Sequence, residues 1–238
     1  MTIDDPLKAA KAQIASDERQ SSRIGSGLAK VVGALGAPLA GDIAAVLERR
    51  KAENRDYFTE ILTNELEQLR SRVEEIKEEH RRFLKTDYVE LIVDGLGKAE
   101  NVRSRERIRR LAKILVTAAE IGPSTSPDQI EEFLQIATVT TELDIAVLRE
   151  IYSVQFKSLS ESQVGRIGKD IVNDLWKSSP PIIDGVLDGD IQSCCATLQG
   201  FGLVERIDRN DFKLGPDKTP YALLKRGAEF VHFIREFE

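Results

Sequence analysis

Histidine and cysteine each occur only twice in this chain, as His80 and His232 and as the adjacent Cys194 and Cys195. So few imidazoles leave little material for histidine-based metal sites or general-base chemistry. Adjacent cysteines are awkwardly placed for a mutual disulfide, and no third cysteine offers a partner. Buried, inert thiols are the expectation. Aromatic residues make up 6% of the sequence, with Trp176 the lone tryptophan, and proline is sparse. That scarcity beside a charged fraction of 31% is the composition of long exposed helices. Cations are not in excess either. A formal net charge of −6 argues against a protein that coats nucleic acid non-specifically, though not against a local basic patch. The most apolar run, Val31–Leu47, holds only Asp42 as a charge but is interrupted by Pro38. It is shorter than the roughly 20 apolar residues of a spanning helix. The start carries no signal-peptide pattern, so a cytoplasmic protein is expected.

What the chain has in quantity is amphipathic helix. Between Arg50 and Lys85, apolar positions fall at Leu62, Leu66, Leu69, Val73 and Ile76, then His80, then Phe83. Steps alternating between four and three keep one seam of a helix facing a partner. His80 on that seam reads as a polar core position that helps set register. The intervening residues are densely charged, so the other face must meet water or other charges. Glu65–Arg70 pairs across a parallel dimer would attract, whereas Arg72–Lys77 pairs would repel. An intramolecular or antiparallel partner therefore suits the seam as well as self-association does.

Ahead of that helix lies a glycine-rich opening, with Gly25, Gly27, Gly33, Gly36 and Gly41. It reads as a helix–turn–helix corner in which small residues permit close backbone approach. An alternative for residues 21–47 is a membrane-active hairpin. After Lys85, Thr86 or Asp87 can cap a helix through Leu91 and Leu96, with a kink expected at Gly95 and Gly97. From Arg103 a strong helical pattern runs through Ile108, Leu111 and Leu115 to the stop at Gly122-Pro123. Gly122–Asp128 (GPSTSPD) reads as a linker. The expected organisation is therefore a helical body over 1–122 and a second, helical plus winged-helix-like domain over 123–238. Ser126-Pro127 and the capping box Ser160–Gln163 open further helices.

The last sixty residues change character. A short helix over Asp188–Phe201 is closed by Gly202, and Leu203–Ile207 reads as a strand. Asp208–Asp211 reads as a turn, Phe212–Leu214 as a return strand, and Pro220–Leu224 as a third extended piece before a closing helix. The pieces LQGFGLVER and YALLKRGAEFVHFI resemble the third helix, wing and last helix of winged-helix proteins. The expected fold class is mainly α: a long-helix bundle or hairpin followed by a helical module ending in a winged helix with a small β-wing.

A winged helix invites a DNA-binding reading, which the charges disfavour. Residues 188–202 contain no lysine or arginine, and Asp188 and Asp190 would face the phosphates. Duplex contacts, in that alternative, would fall to Arg206, Arg209 and Lys213 on the wing. The strongly basic stretch lies elsewhere: Lys98–Lys113 holds Lys98, Arg103, Arg105, Arg107, Arg109, Arg110 and Lys113, with Arg103, Arg107 and Arg110 on one helical stripe and Arg105, Arg109 and Lys113 on an adjacent one. They either pair with the acidic long helix or bind an anionic partner. No residue pattern points to an active site, metal or cofactor.

The order of parts, with the closing LLKRGAEFVHFI, resembles uncharacterised bacterial and phage helical proteins, including the abortive-infection alpha type. That resemblance implies a role in defence against phage or mobile elements and supplies no functional residue. The function expected is that of a non-enzymatic interaction or regulatory protein, gripping a protein partner or a second copy of itself. A DNA-binding regulator and a membrane-active effector are the alternatives.

Overall fold

The computed structural model describes residues 37–72, 78–157, 181–207 and 219–234, with side chains from 46 onward except at 70–72, 78 and 81. The glycine-rich stretch before residue 37, Val73, Ile76, the Ser160 capping box with Trp176, the 212–214 strand, Arg209 and Lys213 lie outside the described residues.

Among the described residues the fold is mainly α, with one small antiparallel sheet near the C-terminus. The helices are α1 (Ala37–Arg72), α2 (Glu78–Lys85), α3 (Asp87–Asn101), α4 (Arg105–Ile121), α5 (Pro127–Val139), α6 (Glu142–Lys157), α7 (Asp188–Gly200) and α8 (Lys225–Phe233). The strands are β1 (Val204–Arg206) and β2 (Tyr221–Leu223). The chain forms two compact units, residues 1–138 and 139–238. The Gly122–Asp128 stretch belongs to the first. Gly122, at φ +67°, seats the His80 ring, and a Cβ there would lie 2.7 Å from the imidazole. Only glycine meets both demands.

In the first unit α1, α3 and α4 pack on one another. Helix α1 is 36 residues long, about 54 Å at 1.5 Å per residue. It begins at Ala37-Pro38, so the proline that interrupts the apolar run sits in a first turn, where its missing N–H costs nothing. Phe58, Leu62, Leu66 and Leu69 bury one stripe of it, and Ile108, Leu111 and Leu115 of α4 are fully buried. Helix α3 runs unbroken through Gly95 and Gly97. Gly95 is a contact point: a Cβ there would lie 2.9 Å from Leu115 Cδ1 and 3.3 Å from Phe58 Cζ. The polar side of α1 fastens the end of α3. Asn54 donates to the carbonyls of Val102 (2.8 Å) and Glu100 (3.3 Å), Arg50 donates to Val102 O (3.2 Å), and Arg55 pairs with the Glu100 carboxylate (2.9 Å). Carbonyls left over at a helix C-terminus are thus satisfied by a neighbouring helix. Thr86 precedes α3 without capping it, because its hydroxyl turns back to donate to Arg82 O (3.1 Å). Ser126 does cap α5, accepting from Gln129 N at 3.3 Å.

In the second unit α7 ends as the sequence predicts. Gly202 adopts φ +66°, its N–H reaches Gln199 O (2.9 Å), and the Leu203 N–H reaches Leu198 O (3.0 Å). That pair of bonds is a Schellman motif. β1 then pairs antiparallel with β2, in the register Val204↔Leu223, Glu205↔Ala222, Arg206↔Tyr221. The described partner of β1 is therefore the third extended piece of the sequence. Buried Val204 and Leu223 meet across the ladder, and turning them outward would require a one-residue slip. α8 approaches the residue just ahead of β1 so closely that a Cβ on Gly227 would collide with Leu203 O. The other edge of β2 is taken by a side chain. Buried Gln155 of α6 donates to Tyr221 O and accepts from Leu223 N–H, both at 2.8 Å. Its amide occupies the place of another strand's peptide group.

Candidate functional site

The described part of the helical seam is used inside its own unit. Leu62, Leu66 and Leu69 are almost wholly buried, and their helix packs on α3 and α4. Phe83 is buried against Tyr88, ring centroids 6.0 Å apart. His80 is half-buried, its ring steeply inclined to that of Phe83, with Nε2 2.6 Å from Ala119 O. A carbonyl only accepts, so Nε2 carries the proton. The described part of the seam therefore serves as core, and His80 ties α2 to the end of α4.

The arginine-rich stretch does three separate things, and Arg103 lies in the bend before α4 rather than on the helical stripe expected for it. Arg105 lies over the Tyr57 ring of α1, with 4.9 Å from its guanidinium carbon to the centroid. It meets the long helix through an aromatic face rather than a carboxylate. Arg109 pairs with Glu106 one turn back at 2.7 Å; that hydrogen bond first, then Tyr57, raises its already high pKa. Arg110 is buried and Lys113 half-buried, which removes both from a freely accessible basic stripe.

The third role belongs to Arg103 and Arg107. With Lys98, Asn101, Val102 and Thr138 they line a groove of about 570 Å³ where α3 gives way to α4. Arg107 Nη1 donates to Thr138 O at 3.0 Å, and its own N–H is received by the Ser104 hydroxyl, the cap of α4 (3.4 Å). Lys98 pairs with Asp94 one turn earlier on α3. Arg103 is exposed. The sequence stripe joined Arg103 and Arg107 to Arg110. The fold separates Arg110 and substitutes Lys98, which reaches the groove from a different helix. No periodicity within one helix could have found that pairing.

The second unit presents a different surface. The outward residues of α7 are Asp188, Asp190, Ser193, Ala196, Thr197 and Gln199, with no cation on the helix. Gln192, half-buried on the same helix, donates to Thr219 O (3.0 Å). Ile182 and Leu187, in the segment leading into α7, are 70% and 74% exposed. Arg206 is exposed on β1. The cysteines face inward. Burial, foremost, pushes both thiols up to about 12, and Cys194 also meets the Asp144 carboxylate. Asp144 is committed to capping α6, accepting from Thr141 N (2.8 Å) and Thr141 Oγ1 (2.7 Å). This Thr141-x-x-Asp144 box was legible in the sequence as a capping signal, and sequence reasoning passed over it. Among the described residues no three of histidine, cysteine, aspartate and glutamate gather as a metal site requires. No described helix is long and apolar enough to cross a membrane.

No protein-family model, curated protein or solved structure matches this chain.

Proposed function

We propose that this chain is a non-enzymatic interaction protein whose C-terminal unit is a winged helix adapted to grip protein. The carrying observation is the outward face of α7, which offers carboxylates, small residues and no cation, beside exposed Ile182 and Leu187. A polyanion gains little from such a face, because docking on duplex needs several phosphate contacts before any base is read. Exposed aliphatics flanked by Asp188 and Asp190 suit a protein partner with an apolar pocket and a basic rim. Fusion of this unit to a helical body accords with the defence setting that the abortive-infection resemblance implies.

A photo-crosslinking residue placed at Leu187 in the full chain, in its host, tests the reading. The expected product is a discrete protein adduct that is absent when the same probe replaces exposed Glu60 and that is lost with Ile182→Asp. Adducts to nucleic acid at Leu187, or identical adducts from both positions, would reject it.

A further inference from the structure

The groove between α3 and α4 lies in the other unit and is chemically the opposite of the α7 face. We infer that it is a binding site for small, multiply charged phosphate compounds of the pyrophosphate or sugar-phosphate kind. Its charged lining is Lys98, Arg103 and Arg107 against Asp94 alone, a formal balance of three minus one, or +2. Lys98 and Asp94 satisfy one another, so the surplus resides on the two guanidiniums. Among the described residues Arg103 has no hydrogen bond or ion pair, and Arg107 spends only Nη1, on Thr138 O. The remaining donors form planar forks, the geometry that fits phosphate oxygens in pairs.

The site is held in shape before any ligand arrives. Arg107 is fixed by the Thr138 carbonyl and by the capped start of α4. The carbonyl of Val102, in the bend between the helices, is clamped by Arg50 and Asn54. An anion arriving there meets the fixed Arg107 guanidinium and also the positive end of the α4 dipole.

Size and lining narrow the ligand. About 570 Å³ is in the ordinary range for small-molecule sites and exceeds what one inorganic phosphate fills. Val102 is the one sizeable apolar side chain in the lining, and no aromatic ring is present to stack a nucleobase. Recognition would rest on the phosphates, not on a base. Duplex nucleic acid fits less well, since three clustered cations cannot track a backbone.

Calorimetric titration of the full chain at low salt, with pyrophosphate, inorganic phosphate, adenosine and a short DNA duplex as separate probes, tests this. Pyrophosphate is expected to bind one to one and more tightly than phosphate, with no heat from adenosine. Arg103→Gln should weaken pyrophosphate about tenfold, the scale of one charge-assisted contact. Its thermal midpoint should not move, because Arg103 supports nothing else. Arg49→Gln, at an arginine 82% exposed on α1, should leave binding unchanged. Absence of pyrophosphate binding, equal weakening by both variants, or tighter Arg103-dependent binding of the duplex would each overturn the inference.

Discussion

Gln155 shows how much one side chain can carry in this fold. It satisfies a buried carbonyl and a buried N–H on β2, both at 2.8 Å, from a helix distant in sequence. Gln155→Leu would keep much of the volume and strand both backbone groups. Each stranded group costs about 1–3 kcal/mol, so chemical denaturation should show a loss of about 2–6 kcal/mol. A loss under 1 kcal/mol would mean that water replaces the amide. The cysteines make a second residue-scale prediction, about pH. Their thiols are held protonated in the folded state up to about 12, against an ordinary value of 9.0. The folded state therefore binds these protons more tightly than the unfolded chain does. Their contribution is complete below the ordinary value and disappears as pH rises toward 12. Circular dichroism across that window should show a falling melting temperature, with a shallower fall in Cys195→Ala. At neutral pH neither thiol should react with an aromatic disulfide reagent until the protein is unfolded.

At the scale of the element, α1 is the central support of its unit. Its apolar stripe is buried on α3 and α4, while Asn54 and Arg55 on the polar side hold the α3 terminus. Leu66→Ala should cost about 2–5 kcal/mol, the range for a leucine truncated in a packed core. A substitution at exposed Glu60 should cost almost nothing. If both changes had equal small effects by denaturant titration, the stripe would not be core. The heptad-like spacing put Leu62, Leu66 and Leu69, all buried, on one side of the helix and left open what they face. Spacing records which residues share a side of a helix and is indifferent to whether the opposing surface comes from the same chain. A similar limit explains α3. Gly95 weakens helix propensity in isolation, yet the contacts it permits with Leu115 and Phe58 keep the helix unbroken.

At the scale of the whole molecule, two units carry surfaces of opposite character. The first has a groove with surplus positive charge, and the second a helix face without cations. Because the described seam is buried within one chain, light scattering over a concentration series should show no association driven by it. Growth of the particle with concentration would place the contact on another surface, with Val46 at 64% exposure the first position to substitute. Net charge alone could not have separated these behaviours, since a chain-wide −6 averages over both units.

The sequence by itself determined the helical class, the stop at Gly202, the cap at Ser126, the seam positions from Leu62 to Leu69 and the lack of cations on α7. All of these are set by neighbours a few residues apart, where backbone geometry and side-chain spacing act directly. Tertiary structure alone decided that β1 pairs with Tyr221–Leu223, that Gln155 closes the sheet edge, and that Gly122 is required by His80. It also decided that Arg103 and Arg107 join Lys98 instead of Arg110. Each of those depends on groups brought together from separate elements, a proximity that exists only after the chain has paid the entropy of closing the loops between them.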